Sequence, residues 1–205
     1  MNGNLLLATL ASAVVLSAAP TSAQAPTHPD AVASAARCVA VSDKRASRRL
    51  LDTLPGSDAE RTAAGELADL YHACGNGELK GGFDARAALA AAVVEERLAA
   101  GTPDLSRVSA ATPWYAASLQ GRQPGSDYNA VELGIQEFGS CVVRAQPQAS
   151  ARLLGSARGS AAERAAIAEI KPALGACVVQ GQELKLNAGN LRLMLAEPFY
   201  HAAVQ

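Results

Sequence analysis

The chain has 205 residues, with 18 Lys+Arg against 19 Asp+Glu and a formal net charge of -1. That balance excludes the basic footprint of a nucleic-acid binder. Hydrophobic residues make up 49%, charged residues 18% and aromatics only 4%, a composition too apolar for disorder and suited to closely packed, alanine-rich helices.

Met1 to Ala25 contains no charged side chain, and the apolar run Leu5 to Ala19 is shorter than the roughly 20 residues that span a bilayer. It reads as a secretory signal peptide over residues 1–23, although Met1 to Asn4 lacks the usual Lys or Arg. Cleavage after Ala23 is preferred, and cleavage after Ala25 stays open. No later stretch is long and apolar enough to span a membrane, so the expected location is periplasmic or secreted.

All four cysteines, Cys38, Cys74, Cys141 and Cys177, follow that segment. An even number in an exported chain argues for two disulfides, and the absence of C-x-x-C argues against zinc or redox chemistry. Cys38 and Cys74 are 36 residues apart, and so are Cys141 and Cys177. Laid over one another without gaps, the two stretches share 16 of 37 residues, including Arg49-Leu50-Leu51, Gly56-Ser57 and Glu60-Arg61. The likeness continues: Glu78-Leu79-Lys80 recurs as Glu183-Leu184-Lys185, and Arg86, Leu89 and Ala90 recur as Arg192, Leu195 and Ala196. The pattern predicts an all-α chain of two tandem four-helix units, residues 24–101 and 129–205, joined by a linker over 102–128. Among the three possible connectivities the duplication favours Cys38 with Cys74 and Cys141 with Cys177.

In the first unit, helices are expected over Asp30 to Ser42, Ser47 to Leu54, Ser57 to just before Cys74, and from an Asp84 cap to Ala100. Gly101 and Pro103 end the last of these. The linker holds Trp114, Tyr115 and Tyr128, which anchor one unit on the other or line a ligand groove between them. In the second unit, helices are expected over Ala130 to Arg144 and Gln148 to Leu154, then from Ser160 to near Ala173, and from an Asn190 cap until Pro198 bends or ends the chain. Ser57 with Glu60 and Ser160 with Glu163 are capping boxes, the strongest local signals present.

Chemistry-bearing motifs are few. The serines at Gly56-Ser57, Gly125-Ser126 and Gly159-Ser160 precede helix starts and do not fit G-x-S-x-G. Gly75-Asn76-Gly77 and Gly81-Gly82 do not match a phosphate loop. His28, His72 and His201 do not recur between the units, and the sharpest enzymatic constellation is His72 with Asp69 on one helical face. Lys44, Arg45, Arg48 and Arg49 form a small basic cluster that reads as a solvated face. No cofactor or metal site is indicated.

Cys141-Val142-Val143, Arg152-Leu153-Leu154, Gly159-Ser160, Glu163-Arg164, Cys177, Glu183 to Lys185 and Leu191 to Glu197 together resemble a group of uncharacterised exported, disulfide-containing helical-repeat proteins of Gram-negative bacteria. The resemblance implies export and helices and carries no catalytic residue. The expected function is a non-enzymatic interaction or structural module of the cell envelope, its partner an envelope protein or other macromolecule. The alternative is a small-ligand carrier using Trp114, Tyr115 and Tyr128.

Overall fold

A computed structural model describes residues 28–75, 83–178 and 186–205, and among these it is all-helical. In chain order the helices are α1 (His28–Ser42), α2 (Lys44–Leu51), α3 (Asp58–Gly75), α4 (Phe83–Ala100), α5 (Ala130–Ala145), α6 (Pro147–Gly155), α7 (Ala161–Cys177) and α8 (Ala188–Phe199). Short 3-10 turns at Val108–Ala110 and Ala117–Leu119 punctuate the linker, and a π turn at Tyr200–Val204 closes the chain. The signal segment, its cleavage positions and both Glu-Leu-Lys links lie outside the described residues, as does the side chain of Asp84.

Capping decides most boundaries. The α2 helix begins three residues earlier than expected, because the Asp43 side chain accepts from the Ala46 amide and so starts a turn before Ser47. Asn187, rather than Asn190, caps α8, its side chain accepting from the Asn190 amide. The α7 helix passes through Pro172 and reaches Cys177 instead of stopping near Ala173. Pro172 is exposed there, where its ring has room, and the bridge from Cys177 to Cys141 holds the last turn. At Pro198 the α-helix ends one residue on, giving way to the π turn.

Cys38 is bonded to Cys74 and Cys141 to Cys177, with Cα atoms 5.7 and 5.6 Å apart. The first bridge ties α1 to α3, and the second ties α5 to α7. Each closes a loop of comparable length, which in the chain-entropy model stabilises by roughly 3 to 4 kcal/mol.

Helices α4 and α8 pack against each other at the centre, and each also lies against the first helix of its own half, α1 or α5. The larger core therefore draws on both sides of the linker. Leu51, Ala91 and Val94 meet Val142, Val143, Leu153, Ile170, Leu195 and Phe199 in one cluster. A smaller core of Val39, Leu50, Leu67, Tyr71 and Leu89 belongs to the first half. A third, made by Leu54, Tyr115 and Leu133, fixes the linker. The small side chains of the alanine-rich stretches let the helix axes come close enough for so aromatic-poor a core to fill.

Helices α5 and α8 approach closely at Gly139. A Cβ added at Gly139 would lie 2.1 Å from the Met194 carbonyl oxygen and 2.7 Å from Pro198 Cγ. Pro198 has no amide hydrogen, so the Met194 carbonyl lacks its helical donor and stands where α5 must pass. Gly139→Ala is expected to cost about 2 kcal/mol or more, as overpacking against backbone does. Gly65, exposed on α3 with open space around its Cα, should show the opposite sign, Gly65→Ala stabilising by about 0.5 to 1 kcal/mol. Urea unfolding midpoints of the two variants check both.

Candidate functional site

Two buried arginines organise the polar interior. Arg86, on α4, is 3% exposed and faces the last turn of α2. Its Nη1 donates to the Leu50 carbonyl at 3.1 Å and its Nη2 to the Leu51 and Thr53 carbonyls at 2.9 and 2.8 Å. A helix leaves its final carbonyls without intrahelical partners, and one guanidinium here binds two of them, Leu50 and Leu51, together with the Thr53 carbonyl just past the helix. The same Nη1 donates to Glu60 Oε1 at 2.9 Å. Glu60 in turn accepts from the Gly56 amide at 2.5 Å, while the Ser57 hydroxyl accepts from the Glu60 amide at 3.1 Å.

Arg192, on α8, treats the end of α6 in the same manner. Nη1 donates to the Leu154 carbonyl at 2.8 Å, and Nη2 donates to the Ser156 carbonyl and to Glu163 Oε1, each at 3.0 Å. Glu163 accepts from the Gly159 amide at 2.6 Å, and the Ser160 hydroxyl accepts from the Glu163 amide at 3.0 Å. The surface pairs repeat too: Arg49 bonds Glu66 and Arg152 bonds Glu169. Gly56 and Gly159 both carry positive φ, +77° and +71°, the left-handed turn that lets the glutamate reach back. At Gly56 space is also short, since a Cβ would lie 2.6 Å from that of Asn129.

The two networks differ at one point. Arg86 Nε donates to both oxygens of Glu197 at 2.9 Å, and Nη2 also bonds that carboxylate. Glu197 comes from α8, 111 residues away, and has no exposed surface. Gln136 of α5 donates to its other side at 2.7 Å. Among the described residues, Arg192 has no carboxylate on its Nε, which is buried without a hydrogen-bond partner. At the self-alignment position of Glu197 the first half has Ala91.

Burial works to raise the Glu197 carboxyl, but the Arg86 guanidinium, with His201 nearby, overrides it and holds the group below the ordinary glutamate value. Glu163 is also held low, since bonds from Arg192 and the Gly159 amide outweigh its desolvation. Glu132 is half-buried close by and shifts the other way, raised first by burial and then by the negative Glu60. Burial pushes the Tyr115 hydroxyl up to about 12, so that phenol stays neutral at physiological pH.

The expected ligand-lining aromatics lie beside this network. Tyr115 is buried against Leu54 and Leu133, with Trp114 and Tyr128 packed on that cluster. The Trp114 indole meets Tyr115 edge-on at 5.8 Å and stacks on the His201 ring at 4.0 Å. The cavity next to Trp114 measures about 20 Å³, room for about one water. His201 Nε2 lies 3.1 Å from the Leu51 carbonyl oxygen and 3.8 Å from Glu197. Its Nδ1 lies 2.6 Å from Gln205 Oε1, and Gln205 donates to Asp52 at 3.0 Å.

The basic cluster divides. Lys44 pairs with Glu96 and Arg49 with Glu66, leaving Arg45 and Arg48 exposed. His72 is exposed at the end of α3. Among the described residues, no three His, Cys, Asp or Glu side chains are grouped to hold a metal ion. Sequence reading missed Glu197 as the partner of Arg86. The available signal was an arginine recurring in both halves with apolar neighbours on either side, Ala85 and Ala87 at Arg86 and Leu191 and Leu193 at Arg192, a position that requires a countercharge.

Comparison with protein-family models, with curated proteins and with solved structures returns no match. Arg86→Met leaves Glu197 buried without its cation and is expected to cost about 3 to 5 kcal/mol, against at most about 1 kcal/mol for Arg49→Ala, whose pair is exposed. Because Glu197 and Glu163 sit below their unfolded values, their contribution is complete above about pH 4.3 and fades as pH falls through the folded values. Glu132 has the reverse sign: its raised carboxyl favours folding when protonated and opposes it once ionised. Glu132→Gln should therefore raise the melting temperature at pH 7 and give no gain at about pH 3. Calorimetric scans across that range separate the two effects.

Proposed function

We propose that the chain is an exported, non-enzymatic helical interaction module of the cell envelope, built as two tandem copies of a four-helix unit. The observation that carries this reading is the use made of the buried charges. Arg86 binds Glu60, Glu197 and the end of α2, and Arg192 binds Glu163 and the end of α6. Their hydrogen-bonding capacity goes to architecture, so recognition falls to the surface. Two disulfides support an oxidising compartment. No described helix is long and apolar enough to cross a membrane.

The duplication is supported by the recurrence, half by half, of the arginine cap, the capping box and the surface pair at matching sequence positions. The carrier alternative placed its ligand at Trp114, Tyr115 and Tyr128. Their packing around Leu54 and Leu133 favours the module over the carrier.

A photo-crosslinking amino acid at Val41 or Val131, which are 64% and 76% exposed, tests the reading in the native envelope. The expected result is a discrete protein adduct from at least one position. An absence of adducts from both, together with a small molecule retained in native mass spectra of the purified protein, would favour the carrier instead.

A further inference from the structure

A groove of about 460 Å³ runs between the halves, in the size range of ligand sites. Its apolar surface is Leu98 and Ala99 of α4 with Ala157, Leu154 of α6 lies buried beneath, and Gly155 adds no side chain to fill it. Its charged part is Arg37 of α1, Glu95 of α4 and Arg158, which follows α6. Glu95 is already neutralised, 3.7 Å from Arg37 and 3.8 Å from the buried Arg192. Arg158 is exposed and makes no hydrogen bond or ion pair among the described residues. A guanidinium of this kind beside apolar surface is matched by a carboxylate, which it binds with two parallel hydrogen bonds.

The matching positions of the self-alignment indicate what else the groove takes. At the offsets of the self-alignment, Arg37 falls on Ser140, Glu95 on His201 and Gly155 on Asp52. Around Ser140 and His201 the corresponding groove is filled by the chain itself. Trp114 lies on the His201 ring with Thr112 and Pro113 beside it, the C-terminal Gln205 bonds Asp52, and only about 20 Å³ is left. An aromatic side chain on a stretch of linker is thus what one copy of this groove accepts.

Resting on the interaction-module reading, we propose that the open groove receives an extended acidic segment of a partner protein, with one aromatic side chain against Leu98 over Gly155 and a flanking carboxylate on Arg158. Arg37 offers a second guanidinium for the acidic flank or for the face of the ring.

Titration calorimetry of the full mature chain tests this with three capped heptapeptides: one acidic with a central tryptophan, one with its acids replaced by amides, and one acidic with alanine at the centre. Only the first should bind, and more weakly as salt is added. Gly155→Phe places a ring in the groove from a position where a Cβ makes an ordinary 3.5 Å contact with Leu98. Arg158→Glu reverses the charge without breaking an existing pair. Each should weaken binding by at least about tenfold, the scale of losing one anchor.

Unchanged affinity in Gly155→Phe with a native circular dichroism spectrum would overturn the proposal. Equal binding of the amide peptide, or no detectable binding at millimolar concentration, would do the same. A concentration-dependent dimer that Gly155→Phe abolishes assigns the groove to a second copy and likewise removes it. If the peptides fail while crosslinks form at Val41 or Val131, the groove assignment falls and the module reading stands.

Discussion

The pairing of Arg86 with Glu197 is the constraint on which the rest of the arrangement depends. It joins α4 to α8 across 111 residues of sequence in a site closed to water. A charge in such a place is tolerated only when paired and fully hydrogen-bonded. The pair meets that condition by recruiting the C-terminal carbonyls of α2, the capping glutamate of α3 and the amide of Gln136. Five helices are therefore held to one guanidinium and one carboxylate. Apolar packing supplies most of the favourable energy but is non-directional, and alanine-rich surfaces slide over one another at little cost. The buried pair selects one register of α4 against α8.

Much of the fold was legible because it is local. Ser57 with Glu60 and Ser160 with Glu163 announce helix starts through a short-range hydrogen-bond pattern that any context preserves. The cysteine spacing announced a pair of bridges, and the bridges join those partners. Boundaries failed where two caps of similar quality compete within a few residues. The α2 helix starts ahead of Ser47 because the Asp43 carboxylate reaches the Ala46 amide, and Asn187 rather than Asn190 caps α8 because its side chain reaches the Asn190 amide. The α7 helix runs past its expected end near Ala173 and through Pro172, because a proline stops a helix only where the ring or the missing bond cannot be accommodated, and an exposed face near a disulfide accommodates both.

The polar interior was hidden for a different reason. Glu197 belongs to a run near Pro198 that reads as a helix end, and nothing in its neighbourhood refers to Arg86. Long-range pairing carries no periodic signature, so only the recurrence of an arginine between apolar neighbours hinted at it. In the sequence Trp114 reads as a linker anchor or groove lining, and its stacking partner His201 lies in the final turn. That contact needed the tertiary arrangement to appear. The groove rimmed by Arg37 and Arg158 is likewise composed of three segments that no linear motif unites.

The order of the cysteines along the chain has a consequence for how the molecule is made. Because the first is bonded to the second and the third to the fourth, the two bridges are nested in neither direction and never interleave. A chain emerging N-terminus first, from a ribosome or through a translocon, presents one complete thiol pair before either member of the next arrives. Oxidation in simple order of appearance therefore yields the native connectivity, and the slow reshuffling that interleaved bridges require is not needed.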